Sequence, residues 1–394
     1  MRIREVVAVG MARTAIGNFM GSLKDVSAVD LGKIAGEEAL KRSGIEREKI
    51  GEVIVGMVYK TGCGGNPARQ IGIALGIPEA AGALTVEQQC ASGMRAIEIA
   101  FQQIMLGKSD ASLVIGMESM TNVPFLVMNA RKGYRLGDGK FEDGLYHDAL
   151  TDVFSGVHMA NTAENLAEEY GISRREQDEL ALLSQQRALQ AIAEGKFKEE
   201  IVPVPVRNRK GAGVFDVDEH PRETTIEQLE GLKAAFRKNG TVTAGNASGL
   251  NDGASAIVLM ARDLAEELQL KPLFRILSTA TVGVPPRIMG IGPVYEIPKA
   301  AEYAGLQIKD IDYFEINEAF AAQFLACNRE LGLDMEDVNR NGSGISLGHP
   351  VGSTGVRLLI SGYYELKRRG QEIGCGSLCA GGGPGMAIIY QCLN

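Results

Sequence analysis

Two cysteines and a histidine, at positions 90, 349 and 379, stand in surroundings that could give each side chain a chemical task. Cys90 lies in LTVEQQCASGMRAIEIAFQQIM. There Leu84 to Val86 reads as a strand end, and Ile97, Phe101, Ile104 and Met105 form one apolar face of a helix that starts near Ser92. A cysteine at such a handover faces unpaired backbone N–H groups and the positive end of the helix dipole. Both favour thiolate and lower the pKa of a nucleophile. A small, packed core thiol is the competing reading. His349 belongs to NGSGISLGHPVGSTG, with five Gly in fifteen residues. Pro350 supplies no N–H and pushes its predecessor toward extended geometry, so the imidazole projects from a fixed loop, either as a base or as a structural group. In SLCAGGGPGMAIIY, Cys379 precedes Gly381, Gly382, Gly383 and Gly385. Such a run exposes backbone N–H groups with no side chains in the way, which suits an oxyanion hole, or it simply houses a thiol in a tight loop. Asn317, in YFEINEAFAAQ, stands where a strand ends and a helix starts; it serves as an N-cap or orients a water.

Other chemistries lack their signatures. Gly344-Ile345-Ser346-Leu347-Gly348 matches the GxSxG elbow of serine hydrolases, but that arrangement needs an acidic residue and then a histidine downstream, and the only later histidine is His349. There is no P-loop, no GxGxxG fingerprint and no HExxH. Cys375 and Cys379 have no second cysteine pair or histidine nearby to complete a zinc site, so no metal is expected.

Groups this far apart must be gathered by the fold. Arg4 to Val9 reads as a strand, Val29 to Lys41 as a helix and Gly51 to Val58 as a strand, which is α/β order. An internal repeat is present. ALKRSGIEREKIGEV from Ala39 aligns with AAEYAGLQIKDIDYF from Ala300, placing Gly44 on Gly305 and Ile50 on Ile311 at a shift of 261. Ala91-Ser92-Gly93 then aligns with Ser353-Thr354-Gly355 at 262, and Ser112 to Gly116 with Ser377 to Gly381 at 265. The repeated units are about residues 1–120 and 271–394, and an unrepeated stretch at about 121–250 separates them. The stretch holds a polar, Gly-punctuated loop from Lys132 to Gly144. It also holds a long helix opened by the capping box Ser173/Glu176 and stopped at Gly195. IVPVPVRN follows as an edge strand or extended loop. Asn251-Asp252-Gly253 reads as a turn before an apolar run to Met260 that returns to the first half. The chain thus divides into an N-terminal half, 1–270, carrying the insertion, and a C-terminal half, 271–394. The insertion is a natural place for substrate recognition.

At 394 residues, with 45% hydrophobic and 23% charged residues, the chain is globular and large enough for a self-standing core. Its net charge of −8 argues against a nucleic-acid or anionic-membrane surface. No 18-residue apolar run is present, and MRIREVVAVG alternates like a first strand, so no signal peptide is expected; six cysteines spread over so long a chain fit a reducing cytoplasm better than a disulfide framework.

Taken together, the segments GNFMGSLKDVSAVDLG, NPARQ, GMESM, HMANTAEN, DEHPR, VTAGNASGLNDGA, NEAF, LGHPVGSTG and LCAGGG occur in an order that resembles the thiolase family over essentially the whole chain. The resemblance implies a five-layered αβαβα fold made of two similar halves with an inserted loop domain, assembled as a homotetramer. It implies a cytoplasmic enzyme without a cofactor whose partners are acetyl-CoA, acetoacetyl-CoA and CoA. Carried over by motif, Cys90 accepts the acyl group, His349 activates it, and Cys379 removes the α-proton of the incoming acetyl-CoA. The N–H groups of Cys90 and Gly381 form one oxyanion hole, and His349 with a water held by Asn317 forms the other. Matching positions place Arg222 near the nucleotide, Ser248 on the pantetheine arm with Ala244 and Leu250 beside it, and His158, Met159, Met289 and Phe320 around the acyl pocket. The HM pair and Met289 resemble short-chain biosynthetic members, which points to an acetyl-CoA C-acetyltransferase. A broad-range degradative 3-ketoacyl-CoA thiolase and a non-catalytic acyl-CoA-binding subunit are the alternatives. The chain departs from the usual pattern at Ala91, at Ser343 and Gly344, and in the additional thiol Cys375.

Overall fold

Val6–Thr14 (β1) is buried at every residue, so this strand has apolar material on both faces and must lie inside a layered structure. The computed structural model, which describes residues 3–208 and 211–393, builds that structure from nine main strands and eight main helices. After β1 come α1 (Ala28–Ser43), β2 (Glu52–Gly56), α2 (Pro67–Ala74), β3 (Gly82–Val86), α3 (Ser92–Met105) and β4 (Ala111–Ser119). The insertion contributes α4 (Ala160–Glu169) and α5 (Arg174–Ala193). The chain then continues through β5 (Asn251–Ala261), β6 (Phe274–Gly283), α6 (Gly292–Ala304), β7 (Tyr313–Ile316), α7 (Ala321–Leu331), α8 (Val351–Arg369), β8 (Ile373–Cys379) and β9 (Pro384–Cys392).

The strand order is β7-β8-β9-β6-β1-β5-β4-β2-β3, with Gly17–Asn18 and Ile201–Val202 as short additions. Read outward from the β1–β6 junction, β1-β5-β4-β2 and β6-β9-β8-β7 are the same pattern. β2 pairs parallel with β4 as β7 does with β8, while β5 and β9 are antiparallel to their neighbours. The two half-sheets are joined by two antiparallel rungs, Val7↔Arg275 and Ala8↔Phe274. Between the half-sheets lie α3 and α8, touching each other and strands of both halves. Met94 and Ile97 from α3, Val356 and Leu359 from α8, and Ile54, Val114, Leu378 and Ile388 from the strands share one core. A second core lies under α1 and a third under α6 and α7, which makes five layers.

Gly44 and Gly305 both end their helix in the left-handed region, at φ 70°, where glycine carries no Cβ penalty. Hydrogen-bond register corrects the last repeat shift. Val53 pairs with Leu113 and Phe314 with Cys375, so β4 maps onto β8 at 375 − 113 = 262, and the match at 265 is out of register. Ser and Gly recur in both stretches, but Gly381 lies beyond the end of β8, in the loop. Helix α8 also takes in Ser353-Thr354-Gly355 after its start at Val351, whereas α3 begins only at Ser92.

Two more expectations change. Asn251-Asp252-Gly253 opens β5 instead of turning: Asp252 pairs with Ser119 and accepts from the Thr121 N–H (3.0 Å) and hydroxyl (2.6 Å), which removes its need for a turn. The helix expected at Asn317 begins at Ala321. Ser248 N–H donates to Ala319 O (3.0 Å) and Ala321 N–H to Asn246 O (2.9 Å), holding the intervening backbone extended, so Asn317 is not an N-cap.

In the insertion, Ser173 and Glu176 form the expected capping box of α5, and Gly195 follows its end at φ 70°. Ile201–Val202 adds to β1, and Val204–Asn208 pairs antiparallel with Gly211–Phe215. A fully buried Arg13 on β1 grips Asp218 through two bonds (2.7 and 2.9 Å) and Glu200 through one (3.2 Å), tying the insertion to the sheet.

Candidate active site

Cys90 sits between the end of β3 and the start of α3, at an elbow whose preceding residue, Gln89, has φ 48°. A non-glycine residue in that region is strained and persists only where its surroundings enforce it. Here Ser92 supplies the constraint, its hydroxyl donating to Gln89 O (2.7 Å) and accepting from Gln88 N–H (2.9 Å). Ala91 is the N-cap of α3, and its methyl is buried in the central core.

His349 is set by the opposite half. Gly348 has φ 97°, and a Cβ there would stand 2.6 Å from the Asn251 side chain, so glycine is required. Asn251 Oδ1 in turn accepts from the His349 N–H (2.9 Å). The imidazole Nδ1 lies 2.7 Å from Thr354 Oγ1, and that hydroxyl donates to Pro350 O (3.1 Å). The Thr354 oxygen is therefore left to accept from Nδ1–H, and the Nε2 lone pair faces Asn317, whose Nδ2 is 3.5 Å away. Asn317 is fully buried and its Oδ1 has no partner; a Cβ on Gly344 would stand 2.7 Å from that oxygen. The neighbouring Ser343 hydroxyl donates to Ile316 O (3.1 Å).

Cys379, the last residue of β8, is buried against Met289, Ala319 and Phe320. Beyond it, the Gly381 N–H and the Cys90 N–H both approach the Cys90 sulfur. Burial nevertheless pushes the Cys90 thiol up to about 11, against the pull of those N–H groups. This reverses the lowered pKa expected from the helix terminus: desolvation outweighs the dipole and the donors. Burial also holds His349 down to about 3, helped by Arg357, and raises Cys379 well above the ordinary thiol range, with Cys90 as a further cause. The resting groups are uncharged, and moving the Cys90 proton to His349 creates two opposite charges together.

A cavity of about 310 Å³ opens onto Cys90, His349 and Gly381. Its walls include His158, Met159, Ala244, Ser248, Leu250, Met289 and Phe320. His158 stacks on Phe236 at 4.5 Å, and its Nδ1 accepts from Ala160 N–H (3.1 Å). Cys379 and Asn317 stand behind this lining, in contact with residues that form it. Arg222 lies outside it, exposed, with Nη2 3.4 Å from the carbonyl of Ala244. Sequence reasoning missed Thr354, Asn251, Gln89 and Phe236. The first three fall inside the motifs above. Thr354 meets His349 within one motif, whereas the pairing of Asn251 with His349 becomes visible only once the halves are assembled.

Residues 6–263 match the family model described as Thiolase, N-terminal domain, and residues 270–392 match Thiolase, C-terminal domain. The chain is 49% identical to an acetyl-CoA acetyltransferase of Syntrophomonas wolfei over 99% of this chain and 100% of that one. A solved structure of acetyl-CoA acetyltransferase from Syntrophomonas wolfei aligns with a TM-score of 0.98 at 49% identity, covering 100% of both chains. The human mitochondrial 3-ketoacyl-CoA thiolase aligns with a TM-score of 0.97 at 43% identity over 99% of both.

Proposed function

The chain belongs to the thiolase family, and on that premise we propose that it is an acetyl-CoA C-acetyltransferase, joining two acetyl-CoA to give acetoacetyl-CoA and CoA and running the reverse cleavage. The observation that carries this reading is the meeting of Cys90, His349 and the Gly381 N–H in one cavity, with Cys379 directly behind it.

In the condensing direction the Cys90 thiol passes its proton to His349 Nε2 and the sulfur attacks the thioester carbon of acetyl-CoA. The N–H groups of Cys90 and Gly381 hold the oxyanion. CoA leaves with a proton from Cys379, and acetyl-Cys90 keeps the reactivity of a thioester. The Cys379 thiolate then takes an α-proton from the second acetyl-CoA. The enolate oxygen is held by protonated His349 and by a water on Asn317. Its carbon attacks acetyl-Cys90, and the released Cys90 sulfur recovers its proton from His349. Gly344 leaves the Asn317 amide room for that task. Met159 and Met289 limit the acyl pocket to short groups, while Ser248, Ala244 and Leu250 receive the pantetheine arm and Arg222 the nucleotide end.

Likeness to the human 3-ketoacyl-CoA thiolase supports a second reading, a broad-range degradative enzyme. Comparing CoA-dependent cleavage of acetoacetyl-CoA with that of a long-chain 3-ketoacyl-CoA separates the two, and strong preference for the long substrate overturns ours. Intact-mass analysis after mixing with acetyl-CoA tests the roles. An acetyl adduct is expected on the wild type and, more slowly, on Cys379→Ala, and none is expected in Cys90→Ser; a wild type that takes no label refutes the assignment.

The homotetramer is supported by the exposed apolar residues crowded into the insertion, Phe125, Leu136, Phe141, Val153 and Phe154 among them. Among the described residues no helix is long and apolar enough to cross a membrane. The cytoplasmic location is our reading of the cysteine usage.

A further inference from the structure

Glu296, on α6, is a buried carboxyl group that the chemistry above does not use. It has no exposed surface, and its Oε1 accepts from the Ser377 hydroxyl at 2.7 Å. The backbone N–H groups of Leu378 and Met386 face the same carboxyl, while Oε2 has no hydrogen-bond partner. Among the described residues no Lys, Arg or His side chain approaches it.

The place it occupies is specific. Cys379 and Gly385 form the last rung of the β8–β9 ladder before the glycine loop that carries Gly381. A Cβ on Gly385 would stand 1.8 Å from Glu296 Oε2, so the carboxyl fills the space that a side chain at 385 would need. Seen from Gly292, one turn earlier on α6, a Cβ would meet Glu296 Oε2 at 2.9 Å, the Gly385 Cα at 3.5 Å and the Cys379 Cα at 3.7 Å. The carboxyl therefore lies beneath the backbone of the second reactive cysteine.

A carboxylate in that position would have one hydroxyl and two peptide N–H groups to offset its burial, and no cation. Burial therefore favours the protonated acid. The titratable groups around it are Cys327 from α7 and Cys375 and Cys379 from β8; those facing Cys379 are Cys90, Cys327 and Glu296 itself. A second negative charge in this layer has nothing to balance it, so ionisation of Glu296 and of Cys379 must oppose each other.

We propose that Glu296 is a positioning residue for Cys379: its carboxyl braces the last rung of the β8–β9 ladder and, by keeping or losing its own proton, sets how readily the Cys379 thiol gives up its proton. The assignment rests on the reading of Cys379 as the second acid/base, and deepens it. A neutral Glu296 leaves the Cys379 thiolate opposed only by burial and by the thiols Cys90 and Cys327. An ionised Glu296 adds a like charge behind the same thiol.

The test is the pH dependence of Cys379 modification by methyl methanethiosulfonate, a small neutral reagent, followed by site-resolved mass spectrometry in a Cys90→Ser background. Glu296→Gln keeps the shape and removes the carboxylate that forms as pH rises into the range where the thiol titrates. It should displace the Cys379 profile to lower pH by about one unit, roughly a tenfold faster reaction on the rising limb, as for buried like-charge neighbours. Ser377→Ala, which withdraws a donor from the carboxylate and so keeps Glu296 protonated to higher pH, should move the profile the same way by less. It carries the test if Glu296→Gln fails to fold. Superimposable profiles, or movement to higher pH, overturn the proposal, because a purely structural brace would leave the thiol's titration unchanged. Condensing activity of Cys379→Ala is measured separately. Wild-type turnover there would overturn the role of Cys379 without touching the coupling read by the thiol titration.

Discussion

Replacing Thr354 by Val tests the claim that the imidazole is oriented from behind. The two side chains have the same shape, and Thr354 is buried, so the substitution opens no cavity and removes only the hydroxyl. That hydroxyl makes two hydrogen bonds, one with His349 Nδ1 at 2.7 Å and one to Pro350 O at 3.1 Å. Pro350 O is not orphaned by its loss, because it still accepts from the N–H groups of Ser353 (2.8 Å) and Thr354 (3.0 Å). The whole cost falls on the buried Nδ1–H. Leaving such a donor unpaired costs about 1–3 kcal/mol, or roughly 5- to 150-fold if the productive ring orientation bears it. We expect kcat for acetoacetyl-CoA cleavage, followed by the loss of absorbance of the substrate enolate, to fall by about that factor. KM should change little, and Thr354→Ser should restore most of the rate. A folded Thr354→Val enzyme within twofold of wild type would refute the orientation argument and the tautomer drawn from it.

The raised Cys90 pKa of about 11 implies that alkylation of Cys90 accelerates with pH from 7 to 10 without levelling. A plateau near pH 8 would mean that a stabilised thiolate exists at rest. Arg222→Ala should raise KM for CoA more than it lowers kcat, in steady-state cleavage assays at varied CoA; an unchanged KM removes Arg222 from the site. Asp218→Ala takes the bidentate partner from a fully buried Arg13 and should destabilise the fold by about 3–5 kcal/mol, read as a lower urea midpoint. An unmoved midpoint would show that Glu200 alone satisfies the guanidinium.

The side chains that gather at the cavity were legible because each sits in a local pattern with a physical meaning: a strand-to-helix elbow for Cys90, a His-Pro step among glycines for His349, a glycine run after Cys379. The twofold repeat was legible too, through helix ends such as Gly44 and Gly305 whose left-handed backbone demands the same residue. Quantities that depend on assembly were not. The dipole and the Cys90 N–H can be read locally, but the Gly381 N–H comes from the other half, and Cys90 packs against a core that both halves build. The start of α7 slipped from Asn317 to Ala321 because a distant loop at Asn246 to Ser248 pairs with the intervening backbone. The mismatch at Ser377 to Gly381 arose because small residues look alike at several registers, and only the ladder chooses among them.

The junction between the copies, two rungs at Val7↔Arg275 and Ala8↔Phe274, has a mechanical consequence. One copy brings Cys90, the proposed acyl carrier, and the other brings His349, Cys379 and the Gly381 amide. Reactivity is thus a gauge of how the copies dock. Loosening the packing of α3 on α8 would spread the reacting atoms while leaving each copy's own ladder whole, so turnover should fade before either half melts.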